Sequence, residues 1–299
     1  MSIVTFPSGL VADLTKVKGG TIAALAAAAD GAGRQDTFTE FLSASWAGTV
    51  ERGPYTFVEP GDAKPDFKRL LKGDLYFGLM ALRRLTLKDG NEYEFDCKCE
   101  QCNSKISWRL QLSDLAIKRL PKESFDRMLR GEAFMTSVED EAGVTREVRF
   151  RLQTTAQEEE VHKLMRQQKR KRATLVDVLA GQTTHIDGLK SQTIVDRWKF
   201  FSGLGLGEMF ELRTKMEEPD CGVDTAIEVV CQKLECNWEQ TVNLPLDRNL
   251  MTAPRRKAQT RSPDSEGSEG TSQGSPWSGG EASSAISSGA RTEEEASPG

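Results

Sequence analysis

Apolar positions along this chain change period several times, and each change marks an element. Ile3-Val4-Thr5-Phe6 is a short apolar run halted by Pro7-Ser8-Gly9, which predicts a strand and a turn. Thr21 to Ala29 is Ala-rich with Thr21 as a candidate N-cap, and predicts a helix. Phe38, Phe41, Leu42, Ser45 and Trp46 fall near helical spacing, which extends a second helix over Asp36 to Val50, up to Gly53-Pro54. Asp66 to Leu87 carries Leu70, Leu71, Leu75, Phe77, Leu79, Leu82 and Leu85, the broad apolar face of a third.

Beyond Lys88-Asp89-Gly90-Asn91, a turn, the period falls to two. Tyr93, Phe95 and Cys97 alternate with charged residues; Ile106, Trp108, Leu110 and Leu112 alternate after them, which makes a hairpin. Glu132 to Asp140 and Val144 to Leu152 predict another hairpin about Glu141-Ala142-Gly143. Ala156 to Ala180 predicts one long charged helix and Ile194 to Phe201 a shorter one. Alternation returns at Thr225 to Val230 and Thr241 to Leu246. From Met251 onward the chain reads Ala-Pro-Arg-Arg-Lys and then Ser, Gly, Glu and Pro with almost no large apolar residue, Trp277 and Ile286 being isolated. Such a segment buries too little apolar surface to offset ordering, so 250–299 is expected to be disordered.

Cysteines interrupt both alternating regions. The first reads Cys97-Lys-Cys99-Glu-Gln-Cys102-Asn103 and the second Cys231-Gln-Lys-Leu-Glu-Cys236-Asn237; each is strand, tight turn with thiols, Asn, strand. A structural zinc takes four ligands in a tetrahedron, and a knuckle at a hairpin tip supplies two of them. Asn after the second cysteine suits a position that needs positive φ. Cys99, Cys102, Cys231 and Cys236 are therefore the expected ligands of one structural Zn2+. Cys97 and Cys102 also form a C-x4-C pair, so Cys97 stands as an alternative to Cys99. Cys221 follows Pro219-Asp220 and is read as a bystander.

A redox C-x-x-C would open a helix after a strand, whereas here a strand follows the cysteines. A catalytic zinc keeps an open position, which four cysteines close. With only His162 and His185 in 299 residues, and no nucleophile beside a partner, the chain is not expected to be an enzyme. The net charge of -5 argues against a nucleic-acid partner. The basic run Arg166 to Arg172 reads as the solvated end of a helix, and Gly203-Leu-Gly-Leu-Gly207 as a helix stop, since no strand precedes it. No apolar run is long enough to span a membrane, and the first residues lack a secretory signal. A cytoplasmic site of synthesis with reduced thiols is expected.

The expected fold class is α+β, with zinc-ribbon-like β hairpins and a large α/β insertion. The segments are a strand and helical region over 1–87, a first knuckle hairpin over 88–115 and the insertion over 116–221. A second knuckle hairpin over 222–249 and the tail over 250–299 complete the chain.

Several short motifs extend the picture. Pro7-Ser8-Gly9-Leu10, Gly53-Pro54-Tyr55, Gly73-Asp74, Leu82-Arg83, Tyr93-Glu-Phe with the first knuckle, Ser107-Trp108 to Asp114-Leu115, and Gly222-Val223-Asp224 with the second knuckle and Leu244-Pro245 follow in that order. In this order the chain resembles the T-even-type baseplate hub and tail-assembly proteins of contractile-tail phages, prophages and related injection systems. The resemblance covers residues 1 to about 248. It implies a non-enzymatic structural or assembly role in a baseplate hub, with other baseplate or tail proteins as partners. It also implies presence in the cytoplasm during assembly, or in a virion or tail-like particle. The family's knuckle cysteines map onto Cys99, Cys102, Cys231 and Cys236. Members usually have C-x-x-C at both knuckles and often Gly after the second cysteine, whereas here the second knuckle is C-x4-C and Asn follows; the long Ser/Gly tail is also a departure. The alternative function is a zinc-ribbon nucleic-acid-binding or regulatory protein, because zinc ribbons serve both uses.

Overall fold

The computed structural model describes residues 2–21, 34–61, 63–170, 173–244 and 248–251. The chain divides into two units, Met1–Arg256 and Lys257–Gly299, and every described residue lies in the first. The tail expected from residue 250 starts later, because Leu250 and Met251 are buried in a 3-10 turn over Arg248–Met251; the chain beyond residue 251 and, after Thr21, the Ala-rich helix expected to Ala29 lie outside the described residues. What is described mixes helix and sheet, in keeping with the α+β class.

Among the described residues, the N-terminal part is less helical than expected. β1 (Ser2–Thr5), β2 (Val11–Leu14) and β3 (Trp46–Glu51) form an antiparallel sheet in that order. The helix expected over Asp36 to Val50 stops at Ser45: α1 covers Arg34–Ser45 and β3 follows at once. Trp46 keeps the helical spacing, but the Ser45 carbonyl is captured by the Thr15 amide at 2.8 Å, and Leu14 pairs with Trp46. A long-range ladder thus ends a helix that local periodicity would have continued. Trp46 is buried between Phe6 and Phe67, with ring centroids 5.8 and 5.2 Å away.

The third expected helix is also broken. A 3-10 turn at Phe67–Arg69 precedes α2 (Lys72–Thr86), with Leu70 and Leu71 extended between them. The break lets the Lys72 amide bond the Gln153 carbonyl at 2.8 Å. α2 is the central core element. Leu75, Leu79 and Leu82 are buried along it, each contributing about 1.5–3 kcal/mol relative to exposure.

Asp74, wholly buried at the start of α2, gathers three of the short motifs into one polar node. Its carboxylate accepts from the Ser8 amide at 3.0 Å, from the Ser8 hydroxyl, and from the Tyr55 hydroxyl at 2.6 Å. Tyr55 in turn accepts from the Leu71 amide at 3.1 Å. Burial pushes the Asp74 carboxyl up to about 6, against the hydrogen bonds from Ser8 and Tyr55 that pull it down. A raised carboxyl favours the protonated folded state. Its contribution to stability is full below about pH 4, where a free carboxyl is protonated, and is lost as pH rises toward 6. Asp74→Asn removes one acceptor oxygen and should cost about 1–3 kcal/mol at acid pH. Because Asn carries no titrating proton, its deficit relative to wild type should narrow between about pH 4 and 6. Denaturant unfolding of both proteins across that range reads the effect, and a constant deficit would refute the linkage.

The first hairpin is β4 (Glu92–Lys98) and β5 (Lys105–Gln111). The insertion opens on β6 (Ile117–Lys118) and α3 (Lys122–Arg130), a helix the periodicity did not reveal. β7 (Phe134–Glu139) and β8 (Thr145–Phe150) form the expected hairpin. The long helix expected over Ala156 to Ala180 is two, α4 (Thr155–Gln167) and α5 (Leu175–Gln182). Lys169 turns left-handed at φ 53° between them, and a capping box of Thr174 with Asp177 restarts the helix. β9 (Thr183–Ile186) then joins β8, with His185 opposite Arg149. α6 (Ile194–Ser202) and α7 (Leu206–Glu217) flank the glycine run, which separates two helices rather than only stopping one. The insertion closes where β10 (Gly222–Val223) pairs with β6. β11 (Ala226–Val230) and β12 (Glu239–Asn243) then form the second hairpin. No helix among the described residues is long and apolar enough to cross a membrane.

Candidate metal centre

Both knuckles grow from the same local rule. In the first, the Cys99 amide donates to the Ser104 carbonyl at 2.9 Å, and the Asn103 amide donates back to the Cys99 carbonyl at 2.9 Å. In the second, the Cys231 amide donates to the Trp238 carbonyl at 2.8 Å, and the Cys236 and Asn237 amides converge on the Lys233 carbonyl. Each first cysteine thus closes onto the residue after the Asn. Asn103 and Asn237 both adopt positive φ, 57° and 46°, as their position predicts. The longer C-x4-C knuckle is the C-x2-C knuckle with two residues added before the turn. Its departure from the usual spacing therefore leaves the placement of both thiols intact.

The four ligand atoms of Cys99, Cys102, Cys231 and Cys236 lie within 4.8 Å of one another. Cys99 Sγ is 3.7 Å from Cys236 Sγ, and Cys102 Sγ is 3.6 Å from Cys231 Sγ, so each short contact joins the two hairpins. All four are free thiols, far beyond the ~2.05 Å of a disulfide. A tetrahedral metal with sulfur at about 2.3 Å sets its sulfurs about 3.8 Å apart. The donor set fits such an ion. Cys97 lies in β4, two residues before Cys99, and packs against the cluster without joining the four. Cys221 lies elsewhere, buried in the main core, where burial and the Asp74 and Asp220 carboxylates push its thiol up.

Cys99, Ile106 and Cys231 make a small core of their own, apart from the main one. Gln240 pins the hairpins together beside it. It accepts from the Glu100 amide at 2.8 Å and donates to the Lys98 carbonyl at 2.9 Å. Gln232 adds a bond to the Ser107 carbonyl at 3.3 Å. Gln240 and Gln232 carry no sequence signal; a polar residue in a strand or a loop reads as surface.

The thiols divide in their proton affinity. The Ser104 hydroxyl holds the Cys102 thiol down to about 6 and lowers Cys231 as well. Cys236 has a hydrogen bond from the Trp238 backbone that lowers it, yet burial and the neighbouring thiols of Cys102, Cys99 and Cys231 push it up to about 12. Burial, Asp96 and Cys99 raise Cys97. Like charges this close resist forming together, and a divalent cation in their midst reverses that. Lys105, beside the first knuckle, is paired with Asp96 at 2.7 Å.

The remaining features of the sequence serve the fold. Arg170, in the basic run, pairs with the buried Asp177 carboxylate, which also accepts from Trp198 Nε1 at 2.9 Å. Lys171 and Arg172 lie outside the described residues. Among the described residues, the four cysteines are the one group of three or more metal-ligating side chains drawn together this way. Compared with family models, curated proteins and solved structures, the chain matches none.

Proposed function

We propose that the four thiols hold one structural zinc and that the chain is a non-enzymatic structural or assembly protein of a phage-like contractile-tail baseplate hub. The observation that carries the metal half is the four-sulfur cluster, two thiols from each hairpin with all four ligand atoms within 4.8 Å of one another. Four thiolates favour zinc among the common divalent ions, and they leave no position for substrate or water. The zinc therefore clamps two hairpins far apart in sequence.

The assembly half is supported by the resemblance in the order of short motifs. Those motifs are the residues on which this fold turns. Ser8, Tyr55 and Asp74 form one buried node, and Arg83 ties the Leu250 and Glu92 carbonyls to α2.

Elemental analysis of the full chain should return about one zinc per molecule. Disrupting its gene in a phage or prophage that carries it should leave tube and sheath proteins in place while baseplates fail to form. Normal infectious particles would sink the assembly reading. Tight, sequence-specific DNA binding by the purified chain would instead favour the nucleic-acid-binding alternative.

A further inference from the structure

Among the described residues, Ser104 is the one hydroxyl bonded to the four thiols, and it touches two of them. Its Oγ lies 2.9 Å from Cys102 Sγ and 3.3 Å from Cys231 Sγ, so it bridges one thiol from each hairpin. Once a metal has replaced the thiol protons, neither sulfur has a hydrogen left to donate. The Ser104 hydroxyl then becomes the donor, and its single proton is shared between two anionic sulfurs.

From this geometry we infer that Ser104 is the positioning residue of the metal centre, setting the charge on two of its four sulfurs and the strength with which the ion is held. The inference rests on the metal reading above. Zinc with four thiolates carries a formal charge of about -2. A hydrogen bond to a ligand sulfur withdraws part of that charge and orients the ligand, which is how groups behind the ligands tune a metal site. The second knuckle has no counterpart. Trp238 stands where Ser104 stands, each carbonyl accepting the amide of the first cysteine, and its side chain carries no hydroxyl. Charge relief from a hydroxyl thus comes from the first knuckle and reaches across to the second through Cys231.

The backbone role of Ser104 is separable from its side chain, because the carbonyl that accepts from Cys99 remains in any substitution. The test uses the full chain, loaded with Zn2+ for affinity and with Co2+ for spectroscopy. Ser104→Ala should bind zinc about 10–100-fold more weakly in competition with a chelator. Its sulfur-to-cobalt charge-transfer band should move to longer wavelength, since sulfurs that accept no hydrogen bond give up electron density more readily. Ser104→Thr, which keeps the hydroxyl, should restore both. An alanine variant with wild-type affinity and an unmoved band would overturn the inference. So would a threonine variant that behaves like alanine, which would assign the loss to packing. Failure of the wild-type chain to take up either ion would instead strike the metal reading itself.

Discussion

Stripping the metal from the full chain should lower its unfolding free energy by roughly 4–5 kcal/mol, the chain-entropy value for a crosslink that closes a loop of this length. Cys102 and Cys231 touch across 129 positions of sequence. Within that loop, the β6–β10 ladder that brings the ends of the insertion together has only two paired positions. The knuckles themselves share a core of three buried residues, two of them cysteines. Removing the ion therefore leaves four crowded thiols and little apolar surface to hold the tips together. The loss is a large share of the ~5–15 kcal/mol that stabilises a domain. Both tips should loosen together, with faster amide exchange at Cys99 and Cys231. The bases of the first hairpin should stay, because Tyr93 and Phe95 belong to the main core. Cys102→Ser and Cys236→Ser should each abolish the zinc, and the double variant should be little worse than either, since both remove one shared interaction. Cys97→Ser should keep the metal. Cys221→Ser should keep it too while destabilising the main core in which that thiol is buried. Loss of metal from Cys97→Ser with retention in Cys99→Ser would move the ligand to Cys97. Equal stability with and without chelator would end the clamp altogether.

The knuckles were legible because their information is local. Alternation, two thiols and an Asn specify a hairpin tip within about ten residues of chain, and the four-thiol cluster follows from having two such tips. What the pattern missed was decided at a distance. Asp74 is one carboxylate in an apolar helix until Ser8, 66 positions away, is brought to it. β2 is four residues long and has meaning only between its two partners. Other misses left local signals unused. Thr174-x-x-Asp177 is a helix start, and its capping box divides what the charge pattern joined. α3 carries Lys122–Asp126 and Glu123–Arg127 pairs at helical spacing, and α7 carries Glu211–Lys215 and Arg213–Glu217. Apolar spacing alone reveals neither helix; the charge pairs do.

Gly73→Ala should be among the most damaging single substitutions in the chain, although Ala is ordinarily the better helix former. Gly73 is the second residue of α2, where β10 crosses closest. A Cβ built there would lie 2.0 Å from the Cys221 carbonyl oxygen, 2.5 Å from Gly222 Cα and 2.7 Å from the Cys221 carbonyl carbon. These are backbone atoms, so no rotamer change relieves the overlap. Either α2 or β10 has to move. A shift of α2 disturbs Asp74 in the next position, and a shift of β10 breaks the two-residue ladder that closes the insertion. The expected loss is about 3 kcal/mol, at the upper end of what overpacking costs. Gly207 supplies the control. It occupies the same second position of its helix, α7, but a Cβ there meets nothing within 4 Å. Gly207→Ala should therefore stabilise by about 0.4–1 kcal/mol, through the unfolded state. Denaturant midpoints of the two variants should move in opposite directions from wild type. If Gly73→Ala were as stable as wild type, the close approach of α2 and β10 would be wrong, and with it the seam that joins the insertion to the core.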